Sequence, residues 1–247
     1  MSEAVAIVMA AGKGSRMKSE LPKVLFPVLG RPMIEYVLDA LQAGGVQRVL
    51  VVVGYREELV RETLKDRPGV QFVTQAEQLG TGHAVMVCQA ALQDHRGPVL
   101  VVAGDSPMLR GESVQKLLQE FSTRQPACLL GTACKENPFG LGRIVRDGQG
   151  KFQGIVEERD ADEQQKLIRE VNLSVYVFDC LGLFAALPQV ERKNAQGEYY
   201  LTDCPALMLQ SHQTVEALPI LSAAETLSIN NLDELAIVER ALNHERN

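Results

Sequence analysis

"AVAIVMAAGKGSRM" occupies residues 4–17, and its reading decides the fold. Its first letters are apolar without alternation, as in a strand buried on both faces. Gly12, Lys13, Gly14 and Arg16 follow at once, where an ordinary strand would end in a plain turn. A second buried run, "PVLVVAGD" (98–105), ends the same way in a polar turn, "AGDSPM".

Working outward, strand-like and helix-like stretches alternate. "MIEYVLDALQAGG" (33–45) puts Met33, Val37, Leu38 and Leu41 on one helical face. "RVLVVVG" (48–54) and "VQFVTQ" (70–75) read as strands, with a helix in "EELVRETLKD" between them. Gly80 to Gln93 reads as a helix, and so does "GESVQKLLQEFSTRQ" (111–125), with Ser113 as its cap. This alternation predicts a three-layer α/β/α fold: a Rossmann-like, doubly wound, mixed but mostly parallel sheet. Ligands on such sheets bind beyond the carboxyl ends of the strands, so the 12–16 loop and Asp105 are expected to share one site. In the second half, "GRIVRDGQGKFQGIVEER" (142–159) reads as a hairpin turning on "DGQG". "NLSVYVFD" and "TVEALPIL" read as strands, "NAQGEYYLTD" as a polar segment with a stacked tyrosine pair, and the run from Leu232 as an amphipathic helix. Residues 1–110 and 111–247 are expected to form two halves of a single domain, built on one sheet.

Composition narrows the function classes. The hydrophobic share of 46% suits a globular core, and the net charge of −6 argues against nucleic acid. The five cysteines form no C-x-x-C pair and no zinc spacing, and each reads as a reduced core residue. No run approaches the ~20 apolar residues of a membrane helix. The short apolar start lacks a basic leader and reads as a core strand. The expectation is a cytoplasmic protein acting on small molecules, away from membranes; the letters carry no reading of oligomeric state.

Gly12-Lys13-Gly14 with Arg16 has the make-up of a phosphate nest, in which backbone N–H groups reach the anion and cations neutralise it. It matches neither G-x-G-x-x-G, since Met17 stands at the third glycine, nor the P-loop spacing. A tight strand-to-helix turn with solvated bases is the alternative. Lys23, stiffened by Pro22, reads either as a phosphate ligand or as a surface lysine. Asp105 reads as a magnesium ligand or as a turn cap before Pro107. Gln75 has an amide that can donate to and accept from a base edge, with Gly80 and Thr81 offering compact polar contacts; the rival reading is a glycine-led helix start. His83 reads as a structural partner at that turn rather than as a proton-transfer base.

"AAGKGSRM", "LPKVL", "QAEQLGTGHA", "GDSPML", "GLGRI", "GIVEERDA", "NAQGEYYLTD" and the "NN" at 230–231 run through nearly the whole chain. In this order the chain resembles the sugar-1-phosphate nucleotidyltransferase family. More narrowly, it is similar to the uridyltransferase domain of bacterial N-acetylglucosamine-1-phosphate uridyltransferases. The resemblance implies UTP and a sugar 1-phosphate as substrates and Mg²⁺ as cofactor. It implies UTP contacts from Ala10, Ala11, Gly12, Gly14, Lys23, Gln75, Gly80 and Thr81, catalysis by Arg16 and Lys23, and metal held by Asp105 and Asn230. It places the sugar on Gly142, Glu157 and Asn172, which makes 1–110 the nucleotide-binding half and 111–247 the sugar-binding half. Asn230 also reads as a cap-region residue of the last helix, Glu157 as a solvated charge, and the tyrosines as lobe packing. The chain departs from the family at Leu173-Ser174, often Thr-Gly, and at Ala103, often aromatic; both bear on the sugar or nucleotide. The family's bacterial enzymes carry a further acetyltransferase β-helix domain, and no hexapeptide repeat occurs in these letters. A transferase for another sugar or nucleotide, of the UDP-glucose or dTDP-sugar type, and a non-catalytic sugar-nucleotide-binding protein are the competing readings.

Overall fold

The computed structural model describes residues 3–14, 19–229 and 231–246. Arg16 and Asn230 therefore lie outside the described residues. Strand β1 (Val5–Met9) leads through a small hairpin, β2 (Pro27–Val28) and β3 (Arg31–Pro32), into α1 (Met33–Ala43). Next come β4 (Arg48–Val53), α2 (Glu57–Leu64), β5 (Val70–Thr74), α3 (Thr81–Met86), β6 (Pro98–Ala103) and α4 (Gly111–Arg124). The second half adds β7 (Cys128–Cys134), β8 (Gly142–Arg146), β9 (Phe152–Val156), β10 (Glu170–Asp179), α5 (Cys180–Ala186), α6 (Cys204–Gln210), β11 (Val215–Leu218) and α7 (Leu232–Arg246).

The main sheet runs β11-β7-β10-β6-β1-β4-β5, with β8 beside β10 and β9 beside β8. β1 is parallel to both β4 and β6, and β4 to β5. β10 enters antiparallel between β6 and β7, which makes the sheet mixed. The unbroken apolar letters follow from burial on both faces. Val5, Ile7, Leu50, Val52, Val99 and Val101 face α3, α5 and α6, while Ala6, Val8, Val49, Val51, Leu100 and Val102 face α1, α2 and α4. Each fully buried Val, Leu or Ile contributes about 1.5–3 kcal/mol. A third cluster joins Val28, Met33 and Tyr36 to Ile229, Val238 and Leu242, fastening α7 over the β2–β3 hairpin. Among the described residues no helix is long and apolar enough to cross a membrane.

Four local expectations change. Only Thr81–Met86 of the 80–93 stretch is α-helical; beyond it the amides of Cys88, Gln89, Ala91 and Leu92 bond three residues back, tightening the chain into a 3₁₀ turn at Ala90–Leu92. Ser113 does not cap α4. It lies buried inside the helix, and its hydroxyl donates to Glu225 at 2.9 Å. Glu225 itself serves the helix start, accepting from the Arg110 N–H at 3.1 Å. The tyrosines do not stack on each other: Tyr199 faces the His83 ring at 6.4 Å, while the Tyr200 hydroxyl accepts from Gln196. Cys134 is exposed at the end of β7, whereas the other four cysteines are buried and all five are free. Burial pushes the Cys88 and Cys204 thiols up to about 12. The hairpin forms as read, with Asp147 accepting from the Gln149 and Lys151 N–H groups and Gly150 in the left-handed region.

Candidate active site

The site lies where β1 and β6 end side by side. Their register pairs Met9 with Ala103, and the Gly104 N–H donates to Met9 O at 2.9 Å. Beyond this point the chain passes from β1 to β4 on one side in the sheet order and from β6 to β7 on the other, a switch point of the kind at which such sheets open a crevice. The chain leaving β1 is held along β4, with Ala10 N–H on Val52 O and Tyr55 N–H on Ala11 O.

A cleft of about 300 Å³ fills the crevice. Ala10, Ala11, Gly12, Gly14, Lys23, Gln75, Gly80 and Thr81 all line it, as does Asp105. Three separate segments thus converge as expected. Gly14, at φ 66°, answers why glycine stands there: a Cβ would come within 2.5 Å of the Lys23 Cβ. A Cβ on Gly12 would meet nothing within 4 Å, so its face opens into the cleft. Lys13 turns away, its ammonium 5.3 Å from the centre of the Tyr55 ring. Lys23 begins a 3₁₀ turn after Pro22, and its ammonium pairs with Asp105 Oδ2 at 2.6 Å.

The "LGTG" loop is shaped by the distant "EYYL" segment. Tyr199 N–H bonds Leu79 O, Gly82 N–H bonds Tyr199 O, and Leu201 N–H bonds the Thr81 hydroxyl at 3.0 Å. Gly80, at φ 110°, lies so near Tyr199 O that a Cβ would sit 2.6 Å from it. Thr81 thus spends its hydroxyl's acceptor on the protein. Gln75 is 3% exposed, with its amide nitrogen on Gly80 O and His83 Nδ1.

A second cleft, of about 240 Å³, shares Lys23, Ala103, Asp105 and Ser174 with the first and reaches Gly140, Asn172 and Ser228. The three expected sugar residues are neighbours, but of the three only Asn172 lines this cleft. Asn172 pairs with Gly142 between β10 and β8, and a Cβ on Gly142 would lie 3.5 Å from Glu157 Oε2. Asn172 is already engaged, donating to the Tyr176 hydroxyl at 2.7 Å and accepting from Ser174 N–H. The register breaks between Asn172 and Tyr176, and Ser174 there adopts φ 55°. That left-handed conformation is one that glycine adopts freely and a serine only under strain. Glu157 instead borders a third cleft with Asp160, Thr202 and Asp203.

Burial pushes the Glu157 carboxyl above its ordinary value, the Thr202 hydroxyl pulls it back in part, and Asp160 and Asp203 add to the rise. A carboxyl raised by folding favours the protonated form, so its ionisation at neutral pH costs stability, and the cost fades as pH falls through the folded value. Glu157→Gln is expected to raise the melting temperature at pH 7, with the gain shrinking towards pH 4. Thermal melts across that range check it; an equal gain at every pH would point to packing instead.

Asp105 stands where the two clefts meet, its side chain 30% exposed, and Ser228 lines the same cleft. No group of three or more His, Cys, Asp or Glu able to hold a metal occurs among the described residues. One carboxylate fits an ion such as Mg²⁺, which takes few protein ligands and completes its shell with phosphate oxygens and water. The sequence reading missed Gln78 and Glu198, which also line the first cleft, as does Ser174, which it had singled out only as a departure from the family. Gln78 had a signal, since it sits inside "QAEQLGTGHA" and its amide braces Gln75 O at 3.0 Å.

Comparison with known proteins gives a consistent picture. The model of the MobA-like NTP transferase domain matches residues 6–172. "Bifunctional protein GlmU" of Streptococcus mutans is 42% identical over 243 residues, covering 97% of this chain and 52% of that protein. The proteins of the same name from Pelotomaculum thermopropionicum and Geotalea daltonii are 43% and 40% identical, covering 96% and 98% of this chain and 51% and 53% of theirs. The chain spans about half the length of these curated relatives. A crystal structure of UDP-glucose pyrophosphorylase complexed with UDP-glucose superposes with a TM-score of 0.78 at 15% identity, covering 99% of this chain and all of that one. At that identity the likeness speaks for the fold.

Proposed function

The chain belongs to the MobA-like NTP transferase domain family, and from that premise we propose that it joins UTP to N-acetylglucosamine 1-phosphate, releasing pyrophosphate and UDP-N-acetylglucosamine. One observation carries the reading: the opening glycine loop, Lys23 and the Gln75–Thr81 loop line one cleft beside Asp105. In this reading the triphosphate lies along Gly12 and Gly14, with its base towards Gln75 and Gly80. The sugar phosphate occupies the second cleft, near Gly142, Glu157 and Asn172. Its phosphate oxygen forms a bond to the α-phosphorus as the bond to the β-phosphate bridging oxygen breaks.

Two polyanions must meet, so neutralising their charge is the main task of the protein. Lys23 stands at the junction of the two clefts and stabilises charge on the α-phosphate and departing pyrophosphate. Arg16 shares that role on the strength of the letters. Asp105 and Asn230 are the residues that would hold Mg²⁺, which when bound supplies further charge neutralisation and orients the phosphate oxygens.

A pyrophosphate-release assay over UTP, CTP and dTTP against N-acetylglucosamine 1-phosphate and glucose 1-phosphate, with Mg²⁺, tests the proposal. The fastest turnover is expected with UTP and N-acetylglucosamine 1-phosphate. A different best pair would reassign the substrate, a reading favoured by Ala103 and Ser174 at the cleft junction. Tight UDP-sugar binding without turnover would make this a binding protein.

Gly14→Ala should lower kcat/KM about tenfold, since the added methyl must displace the Lys23 stem, and cost about 1–2 kcal/mol of stability from the positive φ. Steady-state kinetics with a thermal melt separate the two effects; unchanged kinetics would remove Gly14 from the placement of Lys23.

A further inference from the structure

The Gln75 side chain is oriented by its surroundings, and the orientation has a chemical meaning. Its Nε2 lies 3.1 Å from Gly80 O and 3.0 Å from His83 Nδ1. A carbonyl oxygen only accepts, so the amide atom facing Gly80 must be the nitrogen. The same nitrogen then gives its other hydrogen to His83 Nδ1, which has to accept. That fixes a neutral imidazole with its proton on Nε2. Both N–H bonds of the amide are used on the protein, and the polar atom left for a ligand is Oε1. The residue is 3% exposed and lines the first cleft.

We propose that His83 is a positioning residue which, by accepting from Gln75, holds that amide with its oxygen towards the base and so selects pyrimidines with a ring N–H. Uracil and thymine present such a donor between two carbonyls. Cytosine presents a bare ring nitrogen at the same place, and two acceptors would face each other. The Gly80 carbonyl alone leaves the amide one fixed contact. His83 supplies the second and removes the alternative in which an N–H points at the base. The inference rests on the nucleotide assignment of the first cleft, and it explains base choice there.

Calorimetric titration of UTP, dTTP and CTP into the full chain, without sugar phosphate, tests it apart from catalysis. Wild type is expected to favour UTP and dTTP over CTP. His83→Ala should lower the UTP-over-CTP ratio about tenfold, the worth of one hydrogen bond. In His83→Asn the side-chain oxygen stands one bond beyond Cγ, as Nδ1 does, and should restore the ratio to within about threefold of wild type. His83→Gln carries its oxygen one bond further and should behave as alanine does. A merely structural histidine would show the same ratio in all variants. An unchanged ratio in His83→Ala, an Asn variant no better than Ala, or a wild type that prefers CTP overturns the proposal. If wild type binds UTP selectively yet releases no pyrophosphate in the assay above, the catalytic reading fails and this one stands.

Discussion

Replacing Lys23 with alanine is expected to cut turnover about a hundredfold or more, on the order of 3 kcal/mol of barrier. The argument starts from position. Lys23 is 15% exposed, Gly14 lies against its stem, and its ammonium touches the carboxylate at the meeting point of both clefts. No other lysine lines either cleft among the described residues. The stability change should be small, since Asp105 keeps partial access to water and such half-exposed pairs contribute about 0–1 kcal/mol. Lys23→Arg should rescue little, because a planar guanidinium needs more room than the glycine turn leaves. Single-turnover kinetics with a melting curve decide the matter. A kcat within threefold of wild type would remove Lys23 from the chemistry.

The second large effect falls on stability. Arg143 is 1% exposed, yet it is charged. It pairs with Glu158 at 2.6 Å, donates to the Leu141 carbonyl, and reaches Lys166 O at 3.4 Å. Its Nε has no partner among the described residues. Glu158 also accepts from the Gly140 N–H at 3.0 Å, so this pair ties down the loop that walls the second cleft. Arg143→Met strands the carboxylate and should cost about 3 kcal/mol, a melting-temperature loss on the order of 10 °C. Adding Glu158→Gln should return part of that loss, because the orphaned charge goes with it. Chemical denaturation of the single and double variants checks both statements. A single variant as stable as wild type would show the pair to be dispensable.

Much of this architecture was legible because the central strands are covered on both faces, so their letters are apolar without alternation. The glycine-marked loops were legible for a related reason, as positive φ at Gly14 and Gly80 leaves few residue choices. What escaped was non-local. Nothing near Ser113 announces that Glu225, far along the chain, will take over the start of α4. The short α3 ends by a change in hydrogen-bond spacing that residue type does not mark. Glu198 reaches the first cleft only because the "EYYL" segment carries it there. Cys134 looked like its neighbours, but it ends its strand and faces outwards.

The insertion of β10 between β6 and β7 sets a schedule for biosynthesis. Strand β6 ends at Ala103, but the partner for its free side is complete only at Asp179. At ribosomal rates of about 5–20 residues per second, that edge waits roughly 4–15 s for its neighbour. A long apolar edge left open is a template for wrong pairing. Nascent chains arrested before residue 170 should therefore exchange the amides of 98–103 rapidly and associate with one another, whereas chains released past 179 should do neither. Pulsed hydrogen exchange on stalled ribosomes would reveal the delay, and early protection of that strand would mean another segment guards it.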